Sequence, residues 1–336
     1  MPTQNKDSAP YADVRSIGLP RALMYYRYAP AWKAFFEALG REAVVSRQSD
    51  RAMLERGSAR SVDECCLASK LYMGHVESLL DACDAVFVPS LANLGRFKSF
   101  CTKYQALPDL VRNTFDEESI RLVSCVVEDQ QSKTSMRTAF LDLAAQFGAT
   151  PKEAKAAYKA GRVALERAEK DARESFEKAL QGVERARKER RDEDADESLA
   201  ILVAAHPYVS HDRLIGGPVV DALRDMGVTV LFADEFDRER AYKESGKFSS
   251  TMPWLINREL IGAMLCLRER VDGIVAVSAF PCGPDSMTND AIARRAGNTP
   301  LLSLTVDAQS GTAGLETRVE SFIDILRYRR KGGYLQ

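Results

Sequence analysis

At 336 residues, with 45% hydrophobic and 28% charged residues, the chain is too long for one small core and long enough for two globular domains. A formal net charge of -1 excludes a general electrostatic grip on nucleic acid, which needs a basic surface to release counterions. No apolar run approaches the roughly 20 residues of a bilayer span. The polar stretch 1–14 has no signal-peptide core either, so the chain reads as cytoplasmic with a disordered lead-in.

Taken in order, a short strand at 16–19 is stopped by Pro20, and an aromatic-rich amphipathic helix at 29–39 ends at Gly40. A β-branched strand follows at 42–46, then helices near 50–55 and 68–80 and an apolar strand at 85–89. A helix over 107–115 and a strand at 121–127 complete this part. Strands alternating with helices of this length imply a parallel sheet covered on both faces. Segment 15–130 is therefore expected to be an N-terminal α/β domain.

From 151 to 198 the character changes. Strand formers are scarce, and Tyr158, Leu165, Ala172 and Ala179 recur every seven residues, with Phe176 and Val183 beside them. Glu166–Lys170, Glu174–Lys178 and Glu184–Lys188 are i,i+4 pairs of the favourable orientation. This predicts a long helix with a narrow apolar seam, fraying in the acidic stretch 192–197, that packs on the body or spaces two domains. The whole of 131–198 reads as a helical insert.

Alternation returns with strands expected at 199–204, 228–232, 273–277 and 301–305 and helices at 212–226, 253–268, 284–296 and 314–329. Segment 199–336 is thus a C-terminal α/β domain. The predicted class is α/β: two Rossmann-like doubly wound parallel-sheet domains with a long helical insert between them, and a cleft between domains as the natural site.

Seven cysteines in a reducing compartment argue for thiol chemistry rather than a disulfide framework. Three histidines (His75, His206, His211) are too few for a histidine-rich metal site. Cys66 directly precedes the helix of 68–80, Cys101 lies just before the helix of 107–115, and Cys282 precedes a helix opened by Pro284. Ligands of open α/β sheets bind outside the carboxyl ends of the strands, and a cysteine at a helix N-terminus has its thiolate favoured by the dipole. Cys125 and Cys266, in apolar elements, read as small buried hydrophobes. Cys83 has Asp81 and Asp84 beside it, which disfavours a thiolate, and Cys65 is an alternative to its neighbour Cys66. The three candidates are 35 and 181 residues apart, so no CxxC pair supports a zinc ribbon or a ferredoxin. On the residue pattern alone, buried structural cysteines are the simpler account.

Longer motifs add to that pattern. They are Ile17-Gly-Leu-Pro-Arg-Ala-Leu23 with Phe35-Phe36-Glu-Ala-Leu-Gly40, and Glu64-Cys-Cys-Leu-Ala-Ser-Lys70 running into Gly74-His75-Val76. Further on come Cys101-Thr-Lys-Tyr-Gln105 with Leu107-Pro-Asp-Leu-Val-Arg112, then Phe280-Pro-Cys-Gly-Pro-Asp285, then Thr312-Ala-Gly-Leu-Glu-Thr-Arg-Val-Glu-Ser-Phe322. Together they resemble the activase-associated branch of the 2-hydroxyacyl-CoA dehydratase D-component family, over most of the chain except the 151–198 helix and the N-terminal tail.

The resemblance implies an iron–sulfur cluster, [4Fe–4S] or a double-cubane cluster, near the interface of two Rossmann-like domains, with Cys66, Cys101 and Cys282 on the family's cluster cysteines. Three thiolates on a cubane leave one iron without a protein ligand, an open position of the kind catalytic zinc uses. The resemblance also implies an ATP-dependent activase as partner, delivering one low-potential electron, and an acyl-CoA substrate. In related dehydratases a 2-hydroxyacyl thioester loses water through a ketyl radical. The chain has no GxxxxGK[ST] loop, so ATP falls to the partner.

The expected protein is thus a dehydratase-like lyase or an ATP-dependent reductase component, in a homo- or heterodimer. Lys70, His75, His206 and Tyr208 are placed to act on the cluster from outside its thiolates. Two departures stand out: His206-Pro-Tyr-Val209 replaces the related Arg-Pro-Tyr-His, and Ala68 and Thr102 replace prolines beside the first two cysteines. The alternatives are a redox relay or activase-docking accessory protein without its own substrate, and a zinc or metal-free binding module.

Overall fold

A computed structural model describes residues 9–115, 120–188, 199–309 and 311–330. Most of the lead-in (1–8) and the acidic stretch 192–197 lie outside the described residues. The chain divides into two compact units, 1–63 with 70–168 and 64–69 with 169–336. Residues 9–14, expected to be disordered, are ordered. Tyr11 donates its N–H to the Gln146 carbonyl (2.9 Å) and its hydroxyl to the Leu122 carbonyl (3.0 Å), and Val14 is fully buried.

The first unit runs through β1 (Ser16–Leu19), α1 (Tyr25–Ala38), β2 (Glu42–Val45), α2 (Arg51–Ala59), α3 (Leu67–Glu77), β3 (Ala85–Phe87), β4 (Ser90–Asn93), α4 (Thr102–Gln105), α5 (Leu107–Thr114), β5 (Leu122–Val123), β6 (Val126–Glu128), α6 (Met136–Gln146) and the start of α7 (Pro151–Lys188). Its main sheet is parallel in the order β2-β1-β3-β5. The central strands β1 and β3 are nearly continuous apolar runs, as parallel strands covered on both faces must be. Asp50 starts α2 by accepting the Met53 N–H at 2.8 Å. Over the sheet, Phe87 packs edge-on against Trp32 and Phe36 at centroid separations of 5.2 and 5.1 Å, a preferred aromatic arrangement.

The strand expected at 121–127 breaks in two, and β6 pairs parallel with β4 in a separate small sheet. Side-chain bonds to nearby amides end this small sheet. Asn93 Oδ1 accepts the N–H groups of Gly95, Asp129 and Gln130, while Glu128 accepts from Asn93 Nδ2 and the Gln131 and Ser132 amides. Such local bonds compete with a regular ladder.

The second unit holds the rest of α7, then β7 (Ala200–Ala204), α8 (Pro207–Ser210), α9 (Gly217–Asp225), β8 (Thr229–Phe232), α10 (Arg238–Glu244), α11 (Leu255–Leu267), β9 (Gly273–Ala279), α12 (Gly283–Ala293), β10 (Leu301–Val306) and α13 (Thr312–Arg330). Its sheet is parallel in the order β10-β9-β7-β8. Both main sheets thus share one winding, in which the second strand lies on one side of the first and the third strand on the other. That reversal opens a crevice outside the carboxyl ends of the first and third strands, β1 and β3 in one unit, β7 and β9 in the other.

The long middle helix is real, and its two ends belong to different units. In the first, Ala154 and Ala157 are buried. In the second, Phe176, Leu180 and Val183 are buried, Arg187 pairs with Asp272 at 2.6 Å and Arg270 with Glu184 at 2.8 Å. The expected heptad residues Tyr158, Leu165, Ala172 and Ala179 are only half-buried, since a helix lying on a globular body buries a broader stripe than a coiled-coil seam.

Close approach of α10 to α11 depends on Gly262. A Cβ there would stand 1.7 Å from the Ala241 carbonyl oxygen and 2.4 Å from its carbon. Gly262→Ala is expected to cost about 2–3 kcal/mol by forcing the helices apart, seen as a lower urea midpoint with unchanged slope.

Candidate functional site

Cys282 follows β9 by three residues and occupies the N-cap position of α12. Cys66 directly precedes α3, and its segment, 64–69, is counted with the second unit. The two cysteine-bearing segments are joined by backbone: Leu67 donates its N–H to the Phe280 carbonyl at 2.8 Å, and Phe280 in turn donates to Val306 at 2.8 Å. Cys101 belongs to the first unit, half-buried at the N-cap of α4. Among the described residues, no group of three or more His, Cys, Asp or Glu is gathered to hold a single metal ion.

The helix dipole does not govern Cys282. Burial pushes its thiol well up, the Asp285 carboxylate adds to this, the Asp285 backbone amide opposes it, and Cys66 adds again. A bare Cys282 therefore stays protonated. A coordinated metal reverses that outcome, because metal binding deprotonates a thiol outright.

Around Cys282 the second unit buries a polar network. His206, the residue before α8, places Nε2 3.0 Å from Asp285 Oδ1. Asn257, from the first turn of α11, donates Nδ2 to the same oxygen at 2.9 Å and to Thr288 Oγ1 at 3.1 Å. Burial pushes the Asp285 carboxyl up, but the His206 ring beside it, with the hydrogen bond from Asn257, outweighs this and holds the group below its ordinary value. Asp285 stands in the first turn of α12, but its side chain serves this network.

The other candidates have varied settings. Tyr208 is buried in α8 with its ring 5.0 Å from that of His206. Lys70 is half-buried in the second turn of α3 and belongs to the first unit. His75 is fully buried there, with Nδ1 2.8 Å from Ser46 Oγ and Nε2 3.0 Å from Ser49 Oγ. Both of its nitrogens are occupied by serines. Among the remaining cysteines, burial pushes Cys125 up to about 12 and Cys83 up to about 11, settings that disfavour thiolates.

Asn257 went unread in the sequence, though a signal was present. Asn257-Arg258-Glu259 is a polar triplet inside the otherwise apolar run from Leu255 to Leu267, and all three residues are buried. Polar residues on every face of a buried helix must find partners or a ligand.

A family model described as "CoA enzyme activase uncharacterised domain" matches residues 16–236. The match includes Cys66, Cys101 and His206 and stops short of Cys282. The search of curated proteins found no match. Among solved structures, the periplasmic zinc binding protein TroA from Treponema pallidum is 10% identical, with 94% of this chain and 98% of that chain covered at a TM-score of 0.23. A likeness that low carries no argument. Among the described residues, no helix is long and apolar enough to cross a membrane.

Proposed function

The chain belongs to the family described as "CoA enzyme activase uncharacterised domain", and from that premise we propose that it is an iron–sulfur protein of the 2-hydroxyacyl-CoA dehydratase type, held ready for an electron from an ATP-dependent activase and acting on an acyl-CoA. Cys66, Cys101 and Cys282 are its cluster ligands in this reading. The observation that carries it is the joining of Cys66 and Cys282, far apart along the chain, through the Leu67–Phe280 hydrogen bond at 2.8 Å.

The surroundings suit such a group. Ser69, three residues after Cys66, has a buried hydroxyl without a hydrogen-bond partner, a donor fitted to an inorganic sulfide. When bound, the cluster would supply one-electron chemistry at an iron that no protein side chain occupies. Beside Cys282, the exposed side chains of Phe280 and Met287 offer apolar contact to an acyl chain.

Anaerobic purification followed by iron and acid-labile sulfide analysis tests this. About four irons and four sulfides per chain are expected for a single cubane. Zinc in their place, or neither metal, rejects the reading. The His206-Pro-Tyr-Val209 departure favours a second reading, a relay without a substrate of its own. Stable cluster reduction by a matched activase, with no product from a 2-hydroxyacyl-CoA, would assign the chain to that class.

A further inference from the structure

Three helices of the first unit, α1, α6 and the start of α7, wall an open cavity of about 80 Å³. Tyr28, Trp32, Phe35, Phe140 and Tyr158 turn aromatic rings to it. Trp32, Phe35 and Phe140 are at most 5% exposed, so these are core side chains with one flank left unfilled. Gly161 seats α7 against α1 at the cavity wall, where a Cβ would stand 2.7 Å from the Ala31 carbonyl oxygen. The two helices already touch through their backbones, and α7 cannot move inward to close the void. Close-packed interiors keep few voids larger than a water molecule, and an apolar one stays dry and takes an apolar guest.

We propose that this cavity binds the alkyl end of a small aliphatic carboxylate, whose head pairs with Arg162 at the opening. Size sets the tail. The volume of about 80 Å³ is roughly half the ~150 Å³ that admits benzene, which suits about three or four carbons and excludes a ring. Charge sets the head. Among the described residues that line the cavity, Arg162 is the one with a charge. Its guanidinium pairs with Glu166, one turn further along α7, at 3.2 Å, and both side chains are 60% exposed. An exposed pair of that kind is worth little. A ligand carboxylate can therefore take the guanidinium, whose planar fork binds carboxylates through two parallel N–H bonds. A cationic ligand would meet repulsion at the same place. The site needs neither a cluster nor a thioester, so it stands apart from the function proposed above.

Trp32 reports on occupancy. The chain has two tryptophans, so the full chain labelled with 5-fluorotryptophan should give two fluorine resonances, assigned with Trp254→Phe. Pentanoate should move the Trp32 signal saturably and leave that of Trp254 in place. From acetate to pentanoate the affinity should rise about fourfold per methylene, the weight of one buried CH2 group, and level off in longer acids once the cavity is full. Arg162→Gln should weaken pentanoate about 10-fold, whereas Glu166→Gln, which frees the guanidinium, should strengthen it about twofold. Both substitutions fall on exposed side chains, and far-UV circular dichroism checks the fold. Pentan-1-ol should bind the native chain about as weakly as pentanoate binds Arg162→Gln. A Trp32 signal that never saturates, or that both substitutions leave unchanged, would overturn the proposal and leave water or a partner's side chain as the occupant. Equal binding of pentanol and pentanoate would overturn the carboxylate and reduce the site to an apolar hole.

Discussion

Alanine at Cys66, Cys101 or Cys282 is expected to take the chain from about four irons to fewer than about one, because a cubane with three protein thiolates tolerates the loss of none. Cys125→Ala should keep the full complement. Burial pushes the Cys125 thiol up to about 12, and the residue is buried in the short connection from β5 to β6. Iron and sulfide on the anaerobically purified variants, with far-UV circular dichroism to confirm folding, give the result. Retention of iron by Cys101→Ala would remove the first unit from the ligand set. Loss of iron from Cys125→Ala alone would redirect the search to the small β4–β6 sheet.

The second large effect is acid sensitivity. Burial, together with Arg21 and Arg47 and against Asp50, lowers the His75 pKa from its ordinary 6.5 to about 3. In the folded state the ring stays neutral between its two serines. The unfolded chain takes up the proton first as pH falls, so the contribution of His75 is complete above about pH 6.5 and is lost progressively down to about pH 3. Each pH unit within that window should cost about 1.4 kcal/mol. Urea midpoints at pH 7.0 and 5.5, compared between the native chain and His75→Gln, isolate the residue from His211. The Asp234 carboxylate raises the His211 pKa against the opposing effect of burial, so His211 works in the opposite sense. A native pH slope no steeper than that of His75→Gln would refute the account. So would a His75 ring signal that titrates near pH 6.5 in the folded chain.

Most of the sheet architecture was legible because buried parallel strands are spelled in apolar residues. Leu199 to Ala204 and Gly273 to Val277 read as strands for that reason and became β7 and β9. For the second unit's strands the expected and observed limits differ by a residue or two, while helix limits differ by up to about five, as where α9 begins at Gly217 rather than at 212. What escaped were features carried by single polar side chains. Asn93 and Glu128 end β4 and β6 by bonding to nearby amides, and no alternation pattern announces that. Of the candidate site, the placement of Cys66 and Cys282 just before helices was visible in the sequence. The pairing of His206 with Asp285 was not, because 79 positions of chain separate them and only the winding of the sheet brings them together. The dipole argument for Cys282 missed a neighbour, since the carboxylate of Asp285 opposes the thiolate that the helix end would favour.

Covalent order and spatial membership disagree at residues 64–69, which fold with the second unit although the first unit flanks them in sequence on both sides. A protease nick or an engineered split in the middle of α7 would therefore not release two self-sufficient fragments. The carboxyl-terminal piece would lose one of its own backbone donors, leave the Phe280 carbonyl without Leu67, and keep Cys282 without Cys66. Reconstitution would demand that the amino-terminal piece return this hexapeptide in trans. The protein is thus bound to a single polypeptide by its threading as much as by the helix that connects its two bodies.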